Sequence, residues 1–128
     1  MEAKFYILER NQKEALQAIK SLAGKENIKD SSGAHFSWVD TESFVKARHI
    51  EDAFKAWRWF VEFDTCDNII NISFEGEKYG DDLIFFKVIA PYVEAGSYIQ
   101  MQGEDGEMWR WVFDGKTVKE VKPKIAWW

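Results

Sequence analysis

Cysteine occurs once in these 128 residues, at Cys66, and histidine twice, at His35 and His49. A lone thiol closes no intramolecular disulfide, which predicts a reducing, cytoplasmic setting. No Cys-x-x-Cys or His-Glu-x-x-His spacing exists, so neither a structural metal nor another cofactor is expected. The stretch Asp64-Thr65-Cys66-Asp67-Asn68 has an outward likeness to a calcium loop but lacks the alternating aspartates, the central glycine and the closing glutamate. Phosphate loops are missing too: Gly103-Glu104-Asp105-Gly106 carries two carboxylates that would repel a phosphate, and a hairpin turn is the expected reading. The first ten residues hold only a four-residue apolar stretch, Phe5 to Leu8, too short for a signal-peptide core. The densest apolar window, Leu83 to Val93, is broken by Lys87 and Pro91, so no membrane span is expected.

What is present describes a folded domain. The composition is 46% hydrophobic, 30% charged and 16% aromatic, too apolar for disorder, and the length suits one domain over 1–128. Asn11 as N-cap with Ala15, Leu16, Ile19 and Leu22 behind it predicts a first helix, ended by Gly24, after a strand at Phe5 to Leu8. A polar loop over 25–33 and a strand at Phe36 to Val39 follow. Ile50, Ala53, Phe54 and Trp57 predict a short second helix, after which Trp57, Trp59, Val61 and Phe63 alternate as a strand. Ile70, Ile72 and Phe74 return across a turn at Asp67-Asn68. A third helix opens at Gly80-Asp81-Asp82, with Phe85, Val88, Ile89 and Tyr92 as its stripe and Pro91 tightening its last turn before Gly96. Strands at 97–102, 108–113 and 116–122 complete a meander. The class predicted is α+β: an antiparallel sheet of about five to seven strands with two or three helices on one face. One core is expected from Leu16, Ile19, Trp59, Phe63, Ile72, Phe85, Val88, Ile89, Trp109, Trp111 and Phe113.

Two constellations bear on function. Trp-Arg-Trp occurs at 57–59 and at 109–111; extended, each would place its indoles on one face and its arginine on the other. The indoles either fill the core or, as Trp38, Trp59, Trp109 and Trp111, line a pocket that stacks a planar ligand or a sugar. The second constellation is charge. Between 60 and 115 there are twelve acidic residues and three basic ones, within a net charge of −5. That excess either steers a basic protein partner or keeps the chain soluble, and it argues against direct nucleic-acid binding. Glu104, Asp105 and Glu107 form the natural tip of such a surface, which Glu62, Asp64 and Asp67 extend if the two hairpin turns share a side. A general acid/base pair such as Glu62 with Glu104 would be an arbitrary draw from 22 acids, and no catalytic residue is assigned.

The segments Ala90-Pro91-Tyr92-Val93, Gly96-Ser97-Tyr98-Ile99 and Gly103-Glu104-Asp105-Gly106-Glu107, running into Trp109-Arg110-Trp111, resemble a small bacterial or phage-borne domain of uncharacterised function. The resemblance covers a third to a half of the chain. It implies a helix followed by a carboxy-terminal β-meander and no particular activity. In size and acidity the chain is similar to toxin-immunity proteins and phage-encoded inhibitors of host defence. The leading expectation is therefore a non-enzymatic interaction module, of inhibitor or immunity type, that binds a basic partner. Its alternatives are a small-ligand domain or enzyme with a tryptophan-lined pocket, and a subunit scaffold.

Overall fold

A computed structural model describes residues 1–22, 45–75 and 81–124. The described elements are β1 (Glu2–Lys4), α1 (Glu9–Lys20), α2 (Ile50–Ala56), β2 (Trp59–Phe63), β3 (Ile69–Phe74), α3 (Asp82–Ile89), β4 (Tyr98–Gln102), β5 (Met108–Phe113) and β6 (Val118–Val121). The strands make a four-stranded antiparallel sheet, β1-β4-β5-β6, and a two-stranded antiparallel ribbon, β2-β3. This is an α+β fold. The expected strand at Phe36 to Val39, Gly24 and the polar 25–33 loop lie outside the described residues.

The meander follows from side-chain alternation. On β4 and β5 the odd-numbered residues Ile99, Met101, Trp111 and Phe113 are buried, while Gln102, Met108, Arg110 and Val112 face out. Asp114 sets the β5–β6 turn by accepting hydrogen bonds from the backbone N–H of Lys116 at 2.9 Å and of Thr117 at 2.7 Å, with Gly115 beside it at φ 94°. Helix α3 lays Phe85, Phe86 and Ile89 into the core, and Pro91 lies in the 3₁₀ turn Ala90–Tyr92 that ends it. The result is a dense set of aromatic contacts: Phe86 meets Trp59 at 5.0 Å between ring centroids, Trp111 at 5.1 Å and Phe113 at 5.9 Å.

Five expectations change. The apolar run Phe5 to Leu8 is not a strand: regular pairing stops at Lys4, Phe5 turns into the core against Phe54 and Phe113, and Ile7 makes a single bridge to Ile69. That bridge, with N···O distances of 3.0 and 2.9 Å, links the segment after β1 to the ribbon, and the described strands form two sheets where one was expected. Helix α1 starts at Glu9, two residues before the expected Asn11 cap, because its cap comes from elsewhere in the chain.

Trp57 does not continue β2. It is the C-cap of α2, and Arg58 follows with φ 69°, the left-handed position that reverses a chain after a helix. The Arg58 guanidinium lies 5.0 Å from the centre of the Phe74 ring, a cation–π contact at that corner. The two Trp-Arg-Trp triplets therefore have different conformations, a helix–strand corner at 57–59 and a strand at 109–111.

The core differs at three expected members. Phe63 is 38% exposed, since the register of β2 against β3 shifts between Glu62 and Phe63 and turns its side chain outward. Val88 and Trp109 are half-buried against the core rather than inside it. Phe5, Phe54 and Phe86 take the places that the alternation missed. Phe85→Ala should then cost about 3–5 kcal/mol, whereas Phe63→Ala should cost about 1 kcal/mol or less. Urea midpoints measured at an unchanged m-value check the pair.

Candidate functional site

The acidic residues separate into two groups that the fold holds apart. β4 runs antiparallel to β1, with Gln100 opposite Glu2, so the β4–β5 turn lies beyond the amino-terminal end of β1. Ile69, which begins β3, is bridged to Ile7, so the β2–β3 turn lies beyond the carboxy-terminal end of the same strand. Glu104, Asp105 and Glu107 are thus brought together at one end, and Asp64 and Asp67 at the other with Glu62 exposed beside them. The pairing thus sets the two turns toward opposite ends of β1.

At the β2–β3 turn the carboxylates are part of the scaffold. Asp64 accepts from the backbone N–H of Cys66 at 2.8 Å and of Asn68 at 2.9 Å, and from the Asn68 side-chain amide at 3.1 Å. Chiefly through the Asn68 amide and then the Asn68 backbone N–H, these bonds hold the carboxyl below its ordinary value. Asp67 occupies the left-handed region at φ 62°, and its carbonyl accepts from Gln12 Nε2 at 2.7 Å. The Asn68 side-chain oxygen accepts from Glu9 N–H at 2.8 Å, which supplies the cap that α1 lacks locally. What resembled a calcium loop is a turn that clamps the start of α1. Among the described residues no group of three or more His, Cys, Asp or Glu could hold a metal ion.

At the β4–β5 turn the arrangement is open. Gly103 N–H donates to Glu107 O at 2.8 Å and Gly106 N–H to Gly103 O at 3.1 Å, closing a hairpin in which Gly106 has φ 82°. Glu104, Asp105 and Glu107 are exposed, and the two hydrogen bonds that close the turn run between backbone groups. Glu107 leans back over Gly103, where a Cβ would come within 2.6 Å of Glu107 Oε1. Glu104 and Asp105 are exposed in the turn itself and form a charged tip.

The tryptophans named for a pocket differ in their placement where they are described. Trp38 lies outside the described residues. Trp59 and Trp111 are inside the core, 6.1 Å apart between centroids, with Phe86 against both. Their indole N–H groups are used internally: Trp59 Nε1 donates to Asp82 at 2.9 Å and Trp111 Nε1 to Glu120 at 2.9 Å. Trp109, by contrast, borders an open space. That space is a groove of about 340 Å³ on the outer side of the sheet, lined by Gln100, Met108, Trp109, Arg110, Val121 and the run Lys122-Pro123-Lys124. Sequence alternation put Arg110 opposite the indoles, but nothing in it showed that the chain after β6 would wall in the surface around it.

No family model, curated protein or solved structure matches the chain. No helix among the described residues is long and apolar enough to cross a membrane.

Two outcomes follow. Asn68→Ala should cost about 1 kcal/mol through loss of the α1 cap, read as a lower denaturation midpoint with less protection of the Glu9 amide from exchange. The Thr117 N–H, then the Lys116 N–H and the Thr117 hydroxyl, lower the Asp114 carboxyl to about 2. A folded value below the ordinary 3.8 means that this turn's contribution is complete above that pH and fades as pH falls toward 2. An NMR titration of the Asp114 carboxyl carbon should show that midpoint, and Asp114→Asn should flatten the acid limb of stability.

Proposed function

We propose that the chain is a non-enzymatic protein-interaction module that engages a basic surface on a protein partner through the β4–β5 turn. The observation that supports this reading is the exposed trio Glu104, Asp105 and Glu107 at the tip of a hairpin whose base is anchored in the core by Met101 and Trp111. Three carboxylates in a span of four residues raise a negative field at a projecting point, and such a field accelerates capture of a cationic surface. The anchoring matters equally, because a tip held by a paired hairpin loses little conformational freedom on binding.

Covering a cationic surface also blocks it, which is how an inhibitor or immunity-type protein acts. The carboxylates of Asp64 and Asp67 have a different part in this reading. Asp64 is committed to its own turn and Asp67 holds a strained backbone position, so both serve the scaffold at the far end of β1.

Replacing Glu104, Asp105 and Glu107 together with Lys tests the proposal. Each is a surface change expected to move stability by no more than about 0.5 kcal/mol. Capture of a basic partner from host extract should be slowed at least tenfold, and the unaltered protein should show an association rate that falls with salt over the range where the screening length shrinks below about 10 Å. A partner whose binding ignores both the triple change and the salt would overturn the reading.

A further inference from the structure

The groove on the outer sheet face has the opposite sign from the molecule that carries it. Among its described lining residues are three cations, Arg110, Lys122 and Lys124, and no carboxylate, in a chain of net charge −5. Its remaining wall is largely apolar: Met108 and Val121 are both exposed, Pro123 closes one side, and Trp109 borders the floor. The cross-strand row that forms the floor runs Glu2, Gln100, Arg110, Val121, so the nearest acid of that row stands beyond Gln100 on the far side from the lysines.

Arg110 is held in place. Its Nη2 donates to Gln100 Oε1 at 2.5 Å, and its guanidinium carbon lies 4.8 Å from the centre of the Tyr98 ring. One of the five guanidinium N–H donors is spent on Gln100, and the stacking on Tyr98 fixes the plane of the rest. An arginine fixed by neutral neighbours, with two lysines across a small apolar trough, is a receptor for an oxyanion attached to an apolar body. A volume of about 340 Å³ suits a small molecule better than a folded partner.

We infer that the groove bounded by Arg110, Val121 and Lys122–Lys124 binds a small amphipathic carboxylate, its anionic group on Arg110 and the lysines and its apolar part on Met108, Trp109 and Val121. The groove adjoins the acidic turn at Met108 but shares no lining residue with Glu104, Asp105 or Glu107, and it stands or falls without the reading given above. The alkyl stems of Lys122 and Lys124 extend the apolar wall while their ammonium groups close on the anion. Gln100 is a positioning residue that sets the guanidinium.

A matched series of three probes separates charge from shape: 3-phenylpropanoate, 3-phenylpropanol and 3-phenylpropylamine, titrated into the full-length protein while backbone amide shifts are followed by NMR. The carboxylate should produce saturable shifts confined to Gln100, Met108 to Arg110, Val121, Lys122 and Lys124. The alcohol should bind about tenfold more weakly, the loss expected for one charge-assisted contact, and the amine should bind more weakly still. Arg110→Gln and, separately, the double change Lys122→Gln with Lys124→Gln should each weaken the carboxylate at least fivefold and leave the alcohol unchanged. Because these side chains are exposed, the variant spectra should otherwise overlay the parent. Equal binding of all three probes, shifts located elsewhere, no saturable shift at millimolar carboxylate, or a well-folded Arg110→Gln variant of unchanged affinity would each overturn the assignment.

Discussion

Among the described residues Phe86 touches five other rings, those of Phe5, Trp59, Phe85, Trp111 and Phe113, and through them it joins α3 to the four-stranded sheet, to the β2–β3 ribbon and to the amino-terminal segment. Most of these contacts are edge-to-face or tilted, the arrangement that ring quadrupoles favour. Aromatic cores pack by shape as well as by area, so the angle of α3 across the sheet is set by where these rings can interlock. Once α3 is placed, the inner face of the meander is covered and its outer face is left open to solvent, and that division produces both the groove and the projecting turn.

A core this rich in tryptophan has to accommodate indole N–H groups. Two of them have acidic acceptors: Asp82, which is 2% exposed, for Trp59, and Glu120 for Trp111. Asp82 is also the first residue of α3, where the helix dipole favours a negative charge. The buried bond spans β2 and α3, so it adds direction to a contact that hydrophobic burial alone would leave free to slide.

The elements legible in the sequence were those whose pattern is local. β5 was read at its observed bounds, α2 to within a residue, and the turn after α3 from Pro91 and Gly96, because alternation, helical spacing and turn chemistry all act over a few residues. The misreadings have distant causes. Phe5 to Leu8 looks like a strand until Ser97 Oγ accepts the Tyr6 N–H at 3.2 Å and Ile69 bridges Ile7, contacts that come from 91 and 62 positions away. Trp57 satisfies both the helical and the alternating pattern, and only the left-handed Arg58 shows where one gives way to the other. The acidic tip was legible as a turn. The separation of the two acidic turns was not, since it depends on the pairing of β1 with β4, and neither was the groove, whose wall is chain beyond the last strand.

The cap that Asn68 places on α1 ties the order of assembly to the ribbon. A helix start with no side-chain partner of its own leaves its first amide donors to water until the β2–β3 turn arrives, a closure across 59 residues. Glu9 and Asn68 are thereby coupled: an opening of the ribbon that carries Asn68 away removes the cap from the first turn of α1.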